Sequence, residues 1–309
     1  MRGLINYGSY CSINSVVQCL HGTRELRDLI RGIDNQDHLL PTKNTVAARL
    51  KQLIYEMTRP NQGPCDPSFL LDSMSAHGLS FDVQEDSDFV FRCILNALTD
   101  DSGPAKKIGQ LWDIEMEKRI RCLGCNSVES TLDRSNTIPV FLEDNLPDEL
   151  QDYIKQHSDN TLATGDYDCT ICDKRTRVQM TSKVLTLPPV VCMALARVKN
   201  IGRENAHIVK TEKRFTFPET LDLKYITKEA EANVDTLYEL YAVVAHRGTH
   251  YCGHYTAYVR EVDSWYLADD THIRLCSWDD VKATYEAGSN LLYDEVAYML
   301  MYRSKNTSH

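Results

Sequence analysis

What this sequence lacks narrows its class before any motif is read. Its 309 residues contain no apolar run near the roughly 20 residues that a membrane-spanning helix needs, so membrane insertion is not expected. Nothing like a secretory leader precedes Gly3-Leu4. That abrupt start predicts a natural chain that extends further upstream. A positive charge balance is also missing: 34 Lys and Arg stand against 44 Asp and Glu, a net charge of −10. The deficit disfavours nucleic acid as a partner and is compatible with a basic peptide tail as substrate. Internal repeats and low-complexity stretches are absent from the sequence. The remainder, 42% hydrophobic and 25% charged, is ordinary globular composition, enough for one large domain or a domain with a sizeable insertion. Eleven cysteines, an odd number without an export signal, argue against a disulfide scaffold. They predict a reduced, intracellular protein that uses thiols for metal or chemistry, cytosolic with the nucleus left open.

Apolar spacing divides the chain into two lobes. Over residues 1–107 it predicts helices: one from Cys11, one capped by Thr23, one capped by Asn44 and ended by Arg59-Pro60. A short one opens at Asp66-Pro67 and closes at Gly78, and another runs from Asp86 to Leu98. From about residue 108 the period falls to two. Strands are expected over 112–120, 178–187, 190–197, 207–217, 238–246, 254–262, 265–268 and 296–302. Short helices fit 149–157 and 279–285, and loops fit 200–205 and 227–235. A helical lobe followed by a sheet lobe is an α+β chain.

The stretch Gly3-Leu4-Ile5-Asn6-Tyr7-Gly8-Ser9-Tyr10-Cys11 reads as a turn that delivers a thiol to the start of a helix. Unpaired N–H groups and the helix dipole both favour the thiolate there. The same N–H groups, with Asn6 upstream, offer donors to an oxyanion. Buried structural cysteines are commoner than nucleophiles, so the case rests on a matching half far downstream. That half is Tyr241 to His246-Arg247-Gly248, then Gly253-His254-Tyr255, then Trp265 to Asp269-Asp270. Antiparallel pairing would return the Asp269-Asp270 corner beside the strand that begins at His254. Cys, His and a carboxylate are what thiol acyl transfer requires; spacing alone does not choose between His246 and His254. Between the halves, Cys122-Leu-Gly-Cys125 and Cys169-Thr-Ile-Cys172 supply four thiolates for a tetrahedral structural zinc. The segment between the pairs would form the body of a hairpin-like projection.

These motifs carry a resemblance that covers almost the whole chain. Residues 3–20 resemble the Cys box of the ubiquitin-specific proteases, the papain-like deubiquitinases, and residues 246–270 resemble their His box. Gln84-Glu85-Asp86-Ser87, the Leu187-Pro188 to Arg197 strand and Phe217-Pro218 to Asp222 resemble further family segments. The resemblance implies one catalytic domain over 1–309 with thumb, fingers and palm: a helical thumb over 1–107, zinc-bearing fingers over 108–185 and a palm over 186–309. It implies Cys11 as nucleophile, His254 as base and Asp269 as the group orienting the ring. Asp270 would support them and Asn6 would hold the oxyanion. Asp86, His246 and Tyr255 fall where the family grips an extended, Arg-containing tail ending in Gly-Gly.

Within the family, residues 277–302 are most similar to the interferon-induced member, which removes the interferon-stimulated, two-domain ubiquitin-like modifier. That likeness implies a thiol isopeptidase acting on this modifier and its lysine conjugates. It also implies damping of interferon signalling through an interferon receptor chain and a signalling transcription factor. A broad deubiquitinase and a catalytically weak binding scaffold are the competing readings. Several positions depart from the family pattern: Ser9-Tyr10, Ser12, Val198, Ala268 and Phe89. Phe89 stands where a carboxylate usually meets an arginine of ubiquitin, which argues against ordinary ubiquitin as the preferred substrate.

Overall fold

The computed structural model describes residues 1–34, 45–59, 63–77, 84–99, 104–159, 163–201, 207–227, 235–288 and 294–305. The first lobe is helical: α1 (Cys11–Gly22), α2 (Arg24–Asp34), α3 (Val46–Thr58), α4 (Ser68–Met74), α5 (Ser87–Thr99) and α6 (Pro104–Gly109). All of α1 is buried, polar residues included, so its stripe of Ile13, Val16, Val17 and Leu20 understates its place at the centre. Two of its polar side chains find backbone partners: Ser15 Oγ donates to Ser12 O and Gln18 Nε2 to Arg2 O, both at 2.8 Å.

The helix starts show where local chemistry overrides the simplest reading. The hydroxyl of Thr45 caps α3, accepting from Ala48 N at 3.3 Å. Asn44, the expected cap, and Gly78, the expected end of α4, lie outside the described residues. Thr23 does stand before α2, but its hydroxyl turns back. It donates to Cys19 O at 3.0 Å and meets Tyr241 OH at 2.8 Å, joining α1 to the sheet lobe instead of capping. Asp86 caps α5, Oδ1 accepting from Asp88 N at 2.9 Å and Phe89 N at 3.2 Å.

After the helices come β1 (Ile114–Cys122), β2 (Val128–Ser135), β3 (Ile138–Phe141), α7 (Leu150–Asp159), β4 (Ala163–Cys169) and β5 (Lys174–Thr186). The order β2-β1-β5-β4 forms a four-stranded antiparallel sheet. The rest of the chain adds β6 (Val190–Ala196), β7 (Val198–Ile201), β8 (His207–Lys210), β9 (Thr220–Asp222), β10 (Leu237–Gly248), β11 (Gly253–Glu261), β12 (Ser264–Asp269), β13 (His272–Cys276), α8 (Trp278–Lys282) and β14 (Val296–Ser304). An eight-stranded sheet runs β13-β12-β11-β10-β14-β6-β3, with β9 also on β10. One expectation needs correction here. The segment between the C-x-x-C pairs is not all projection, because β3 leaves it to pair in parallel with β6 and α7 packs its Tyr153 and Ile154 in the same core.

The central strands of the eight-stranded sheet are buried on both faces. Alternate residues of β10 face opposite ways, Ala242 and Val244 toward the helices, Val243 and Ala245 toward α7 and α8. β14 does the same with Met299 and Met301 against Leu300 and Tyr302. That explains the unbroken apolar runs in both strands.

A second correction concerns the strand expected over 207–217, which ends at Lys210. Beyond it, Thr211 O and Lys213 O turn inward to accept from Arg197 Nη1 at 3.2 and 3.0 Å, so they serve no ladder. Arg197 is fully buried, and its Nε donates to Ala297 O at 2.6 Å. Arg197→Ala would orphan three carbonyls and open a cavity. It should cost about 3 kcal/mol or more, read as a lower midpoint in thermal or urea unfolding.

Candidate active site

Residues 3–5 thread between the helical lobe and the turn after β12. Leu4 N donates to Asp270 O at 2.8 Å, Cys65 N to Gly3 O at 2.8 Å and Ile5 N to Cys65 O at 2.9 Å. The approach requires glycine, since a Cβ at Gly3 would lie 2.2 Å from Thr271 O. Asn6 then folds the turn: its Oδ1 accepts from Gly8 N at 2.8 Å and Tyr10 N at 3.1 Å, and Gly8 takes φ +138°. The chain enters α1 with Cys11 as its first residue, 3% exposed. No side chain caps this helix start, and its first turn holds no acidic residue. Asn6 Nδ2 donates to Asp270 Oδ2 and Asn14 Nδ2 to Asp270 Oδ1, each at 2.8 Å. One amide hydrogen of Asn6 is thus committed to Asp270, and the other is available as a donor.

β11 and β12 pair with Ala257 opposite Ala268. This brings His254, near the start of one strand, to Asp269 at the end of the other, Nε2 to Oδ1 2.6 Å. Nδ1 is the ring nitrogen left for Cys11. The Cys11 sulfur receives hydrogen bonds from three groups: His254, the Tyr255 backbone N–H, and Gln84 Nε2 at 2.8 Å. Burial opposes ionisation of the thiol, yet these donors together draw its pKa below the ordinary value. His254 is pushed up to about 10 by its bond to Asp269 and then by its bond to Cys11, against burial. Asp269 is held low, chiefly by His254. Both shifts favour placing the shared proton on the ring over placing it on sulfur.

The alternative histidine lies elsewhere. His246 is buried and its pKa is pushed down to about 3 by burial, then by the charges of Lys210 and His254, so it is neutral. Its ring packs 4.4 Å from that of Tyr255, which meets Tyr298 edge-on at 5.6 Å. Asp86, beyond its cap role, accepts through Oδ2 from Tyr298 OH. Asp86, His246 and Tyr255 line one cleft of about 300 Å³, with Gln84, Lys210 and Tyr251 among its other walls. Gln84 borders both the cleft and the sulfur. The sequence alone assigns no role to Gln84 or Lys210. Gln84 at least sits inside one of the family-like segments. Lys210, whose Nζ holds Gly248 O at 2.9 Å and His246 O at 3.3 Å, gives no local signal. Tyr10 turns edge-on to Tyr7 at 6.0 Å.

The four cysteines of the C-x-x-C pairs meet at the far ends of the two hairpins. Their sulfurs lie within 4.8 Å of one another, with Cys122–Cys172 at 3.9 Å and Cys125–Cys169 at 3.8 Å. The knuckles are the same turn twice. Asn126 N donates to Cys122 O and Asp173 N to Cys169 O, each at 2.9 Å, and both donors take left-handed φ of 60° and 52°. The cluster can hold a metal ion.

The His254–Asp269 pair gives a stability signature. His254 is raised above its unfolded value, so its contribution is complete below about pH 6.5 and lost as pH rises through about 10; that of Asp269 is present above the ordinary carboxylate value of about 4 and lost as pH falls below it through the lowered folded pKa. Asp269→Asn should therefore lower the unfolding midpoint most between about pH 4 and 6.5 and approach the parent only above about pH 10. Calorimetry across that range checks it.

Comparison with known proteins shows the family and the fold. The profile of the ubiquitin carboxyl-terminal hydrolase family matches residues 2–302. Similar curated proteins include Ubl carboxyl-terminal hydrolase 18 of Mus musculus, 27% identical over 318 residues, covering 97% of this chain and 84% of that protein. The Homo sapiens protein of the same name is 27% identical over 321 residues with the same coverage. Ubiquitin carboxyl-terminal hydrolase 40 of Homo sapiens is 26% identical over 284 residues, covering 85% of this chain and 22% of that protein. A solved structure, the SAGA Ubp8/Sgf11/Sus1/Sgf73 DUB module bound to ubiquitin aldehyde, shares the fold. It superposes with a TM-score of 0.76 at 21% identity, covering all of this chain and 70% of that one. The chain belongs to the ubiquitin carboxyl-terminal hydrolase family of cysteine proteases.

Proposed function

We propose that this protein is a thiol isopeptidase that releases the interferon-stimulated, two-domain ubiquitin-like modifier from lysines of conjugated proteins. The observation that carries the chemistry is the contact set Cys11–His254–Asp269, with Nε2 to Oδ1 at 2.6 Å and the thiol pKa drawn down. Support for the modifier comes from the likeness of residues 277–302 to the interferon-induced member and from relatives named Ubl carboxyl-terminal hydrolase 18. Phe89 in place of a carboxylate points the same way.

In this reading the extended tail of the modifier lies in the cleft of Asp86, His246 and Tyr255. The neutral His246 has a buried Nδ1 without a partner among the described residues, and it is reserved for the tail. The Cys11 thiolate attacks the carbonyl of the terminal Gly. Asn6 and the Cys11 backbone N–H hold the oxyanion, with Asp270 fixing Asn6. His254, protonated beside the thiolate, gives its proton to the leaving lysine amine. Water then cleaves the thioester. Residues 1–107 act as thumb, 108–185 mainly as fingers and 186–309 mainly as palm, in one catalytic domain.

The four-cysteine cluster binds zinc in this reading. A tetrahedron with Zn–S of about 2.3 Å has edges of about 3.8 Å, and the Cys122–Cys172 and Cys125–Cys169 sulfurs stand 3.9 and 3.8 Å apart. Four thiolates close the site, so the ion folds the fingers and takes no part in the reaction. The protein works in the cytosol, with the nucleus as a second location, and damps interferon signalling through a receptor chain and a signalling transcription factor.

Two experiments test this. Modifier and ubiquitin, each bearing a C-terminal electrophile, are offered side by side to the parent protein and to Cys11→Ala. Fast labelling by the modifier that disappears in Cys11→Ala is the expected result. Preference for ubiquitin would make the protein a deubiquitinase, and no labelling of folded protein would make it a binding scaffold. Metal analysis should find one zinc per chain, lost in Cys122→Ser or Cys169→Ser together with a lower unfolding midpoint.

A further inference from the structure

Gln84 touches the reacting sulfur yet belongs to neither the Cys box nor the His box. Its amide is also held in one sense. Gly253 N donates to Oε1 at 3.0 Å, and Nε2 donates to Gly253 O at 2.9 Å. A flipped amide would set donor against donor and acceptor against acceptor at both contacts, so the Gly253 backbone dictates which end is nitrogen. The second Nε2 hydrogen is then directed at Cys11 Sγ, 2.8 Å away. Gly253 cannot be exchanged without disturbing this clamp, because a Cβ there would fall 2.2 Å from Arg247 O and 2.3 Å from His246 Nε2. One amide thus fixes the backbone just before His254 and donates to the thiol with which His254 shares a proton.

Resting on the isopeptidase reading, we propose that Gln84 is a further catalytic residue, a donor to the Cys11 thiolate before attack and again when that sulfur departs. In the hydrolysis of the thioester, His254 takes a proton from water and the hydroxide adds to the thioester carbonyl. Collapse of the tetrahedral intermediate breaks the C–S bond, and the electron pair goes to Sγ. The product leaves as a carboxylic acid that releases its proton to solvent. His254 keeps the proton taken from water, so the imidazolium–thiolate pair is restored. Sulfur carries charge at the beginning and end of the cycle and is neutral in the thioester. A donor fixed at 2.8 Å from it stabilises the ionised nucleophile and makes sulfur a better leaving group. Because the same bond slightly blunts the attacking thiolate, its loss should slow thioester hydrolysis more than thioester formation.

The decisive measurement is the pH profile of Cys11 alkylation by iodoacetamide, followed on the Cys11 peptide by mass spectrometry. Parent, Gln84→Met and Gln84→Glu are compared. Methionine keeps the length and loses the donor; glutamate keeps an acceptor for Gly253 N–H and adds charge. The inflection should rise by about one pKa unit in Gln84→Met, a tenfold loss of thiolate below it, and further in Gln84→Glu. With a modifier substrate, Gln84→Met should lose more in kcat than in kcat/KM and accumulate the Cys11 thioester. A folded Gln84→Met with the parent inflection would overturn the proposal. So would loss of folding in both variants, since the residue would then be a structural clamp alone. The alkylation arm uses no modifier, so failure of the isopeptidase reading would leave its result standing.

Discussion

The site depends on one carboxylate corner. Asp270 leaves β12 in a left-handed conformation, φ 50°, and is held by three donors from the N-terminal part of the chain. Its carbonyl accepts from Leu4 N, and its two carboxylate oxygens accept from Asn6 and Asn14. The preceding residue, Asp269, points instead to His254. Two consecutive residues therefore serve the two halves of the site: one orients the imidazole, the other fixes the turn that launches Cys11. Cys11 and His254 come from different lobes, and their separation is set by how firmly that corner seats the N-terminal segment. A flexible junction would hold the same residues without aligning them.

The charge state of Cys11 is a contest that burial alone would lose for the thiolate. A thiol 3% exposed should resist ionisation; Cys19 in the same helix, buried with no such donors, has its pKa pushed well above the ordinary value. The difference between the two cysteines is the local set of donors. Cys11 has His254, the Tyr255 N–H and Gln84, and it stands at the positive end of a helix whose first turn contains no carboxylate to neutralise the dipole.

Much of this is legible in the sequence because it is local. The turn before Cys11, the apolar runs of β10 to β12, and the twin C-x-x-C knuckles each depend on neighbours a few residues away. The antiparallel step from β11 to β12 brings Asp269 to His254 by register alone. What depends on distant partners is not legible. Spacing does not separate His254 from His246; only the family resemblance points to His254, and its physical ground is the distant contact with Asp269. The hydroxyl of Thr23 reads as a cap because its actual partner, Tyr241, lies far away in sequence. The departure of β3 and α7 into the large sheet, and the loss of strand structure after Lys210, follow from pairing with β6 and from the demands of the buried Arg197. Neither leaves a periodic trace. Gln84 lies within a family-like segment, but its role emerges only when Gly253 is beside it.

The same physics explains why the cysteine cluster sits where it does. The central strands of the eight-stranded sheet are clad on both faces and need no cross-link. The four-stranded sheet is different: β2 buries none of its residues, and β1 buries only Ile114 and Cys122 at its two ends. In β5, Val184 belongs to the core at the base, which leaves Val178 as the one buried residue of that strand toward the tip. Among the described residues, the tip therefore buries little besides Val178, Cys122 and Cys169. A projection with so small an apolar core falls in the range where disulfides or metals must replace burial. The thiol cluster, which can hold a metal ion, is placed to do this. It joins the turn of the β1–β2 hairpin to that of β4–β5, so each hairpin braces the other at the point where neither has side chains to bury.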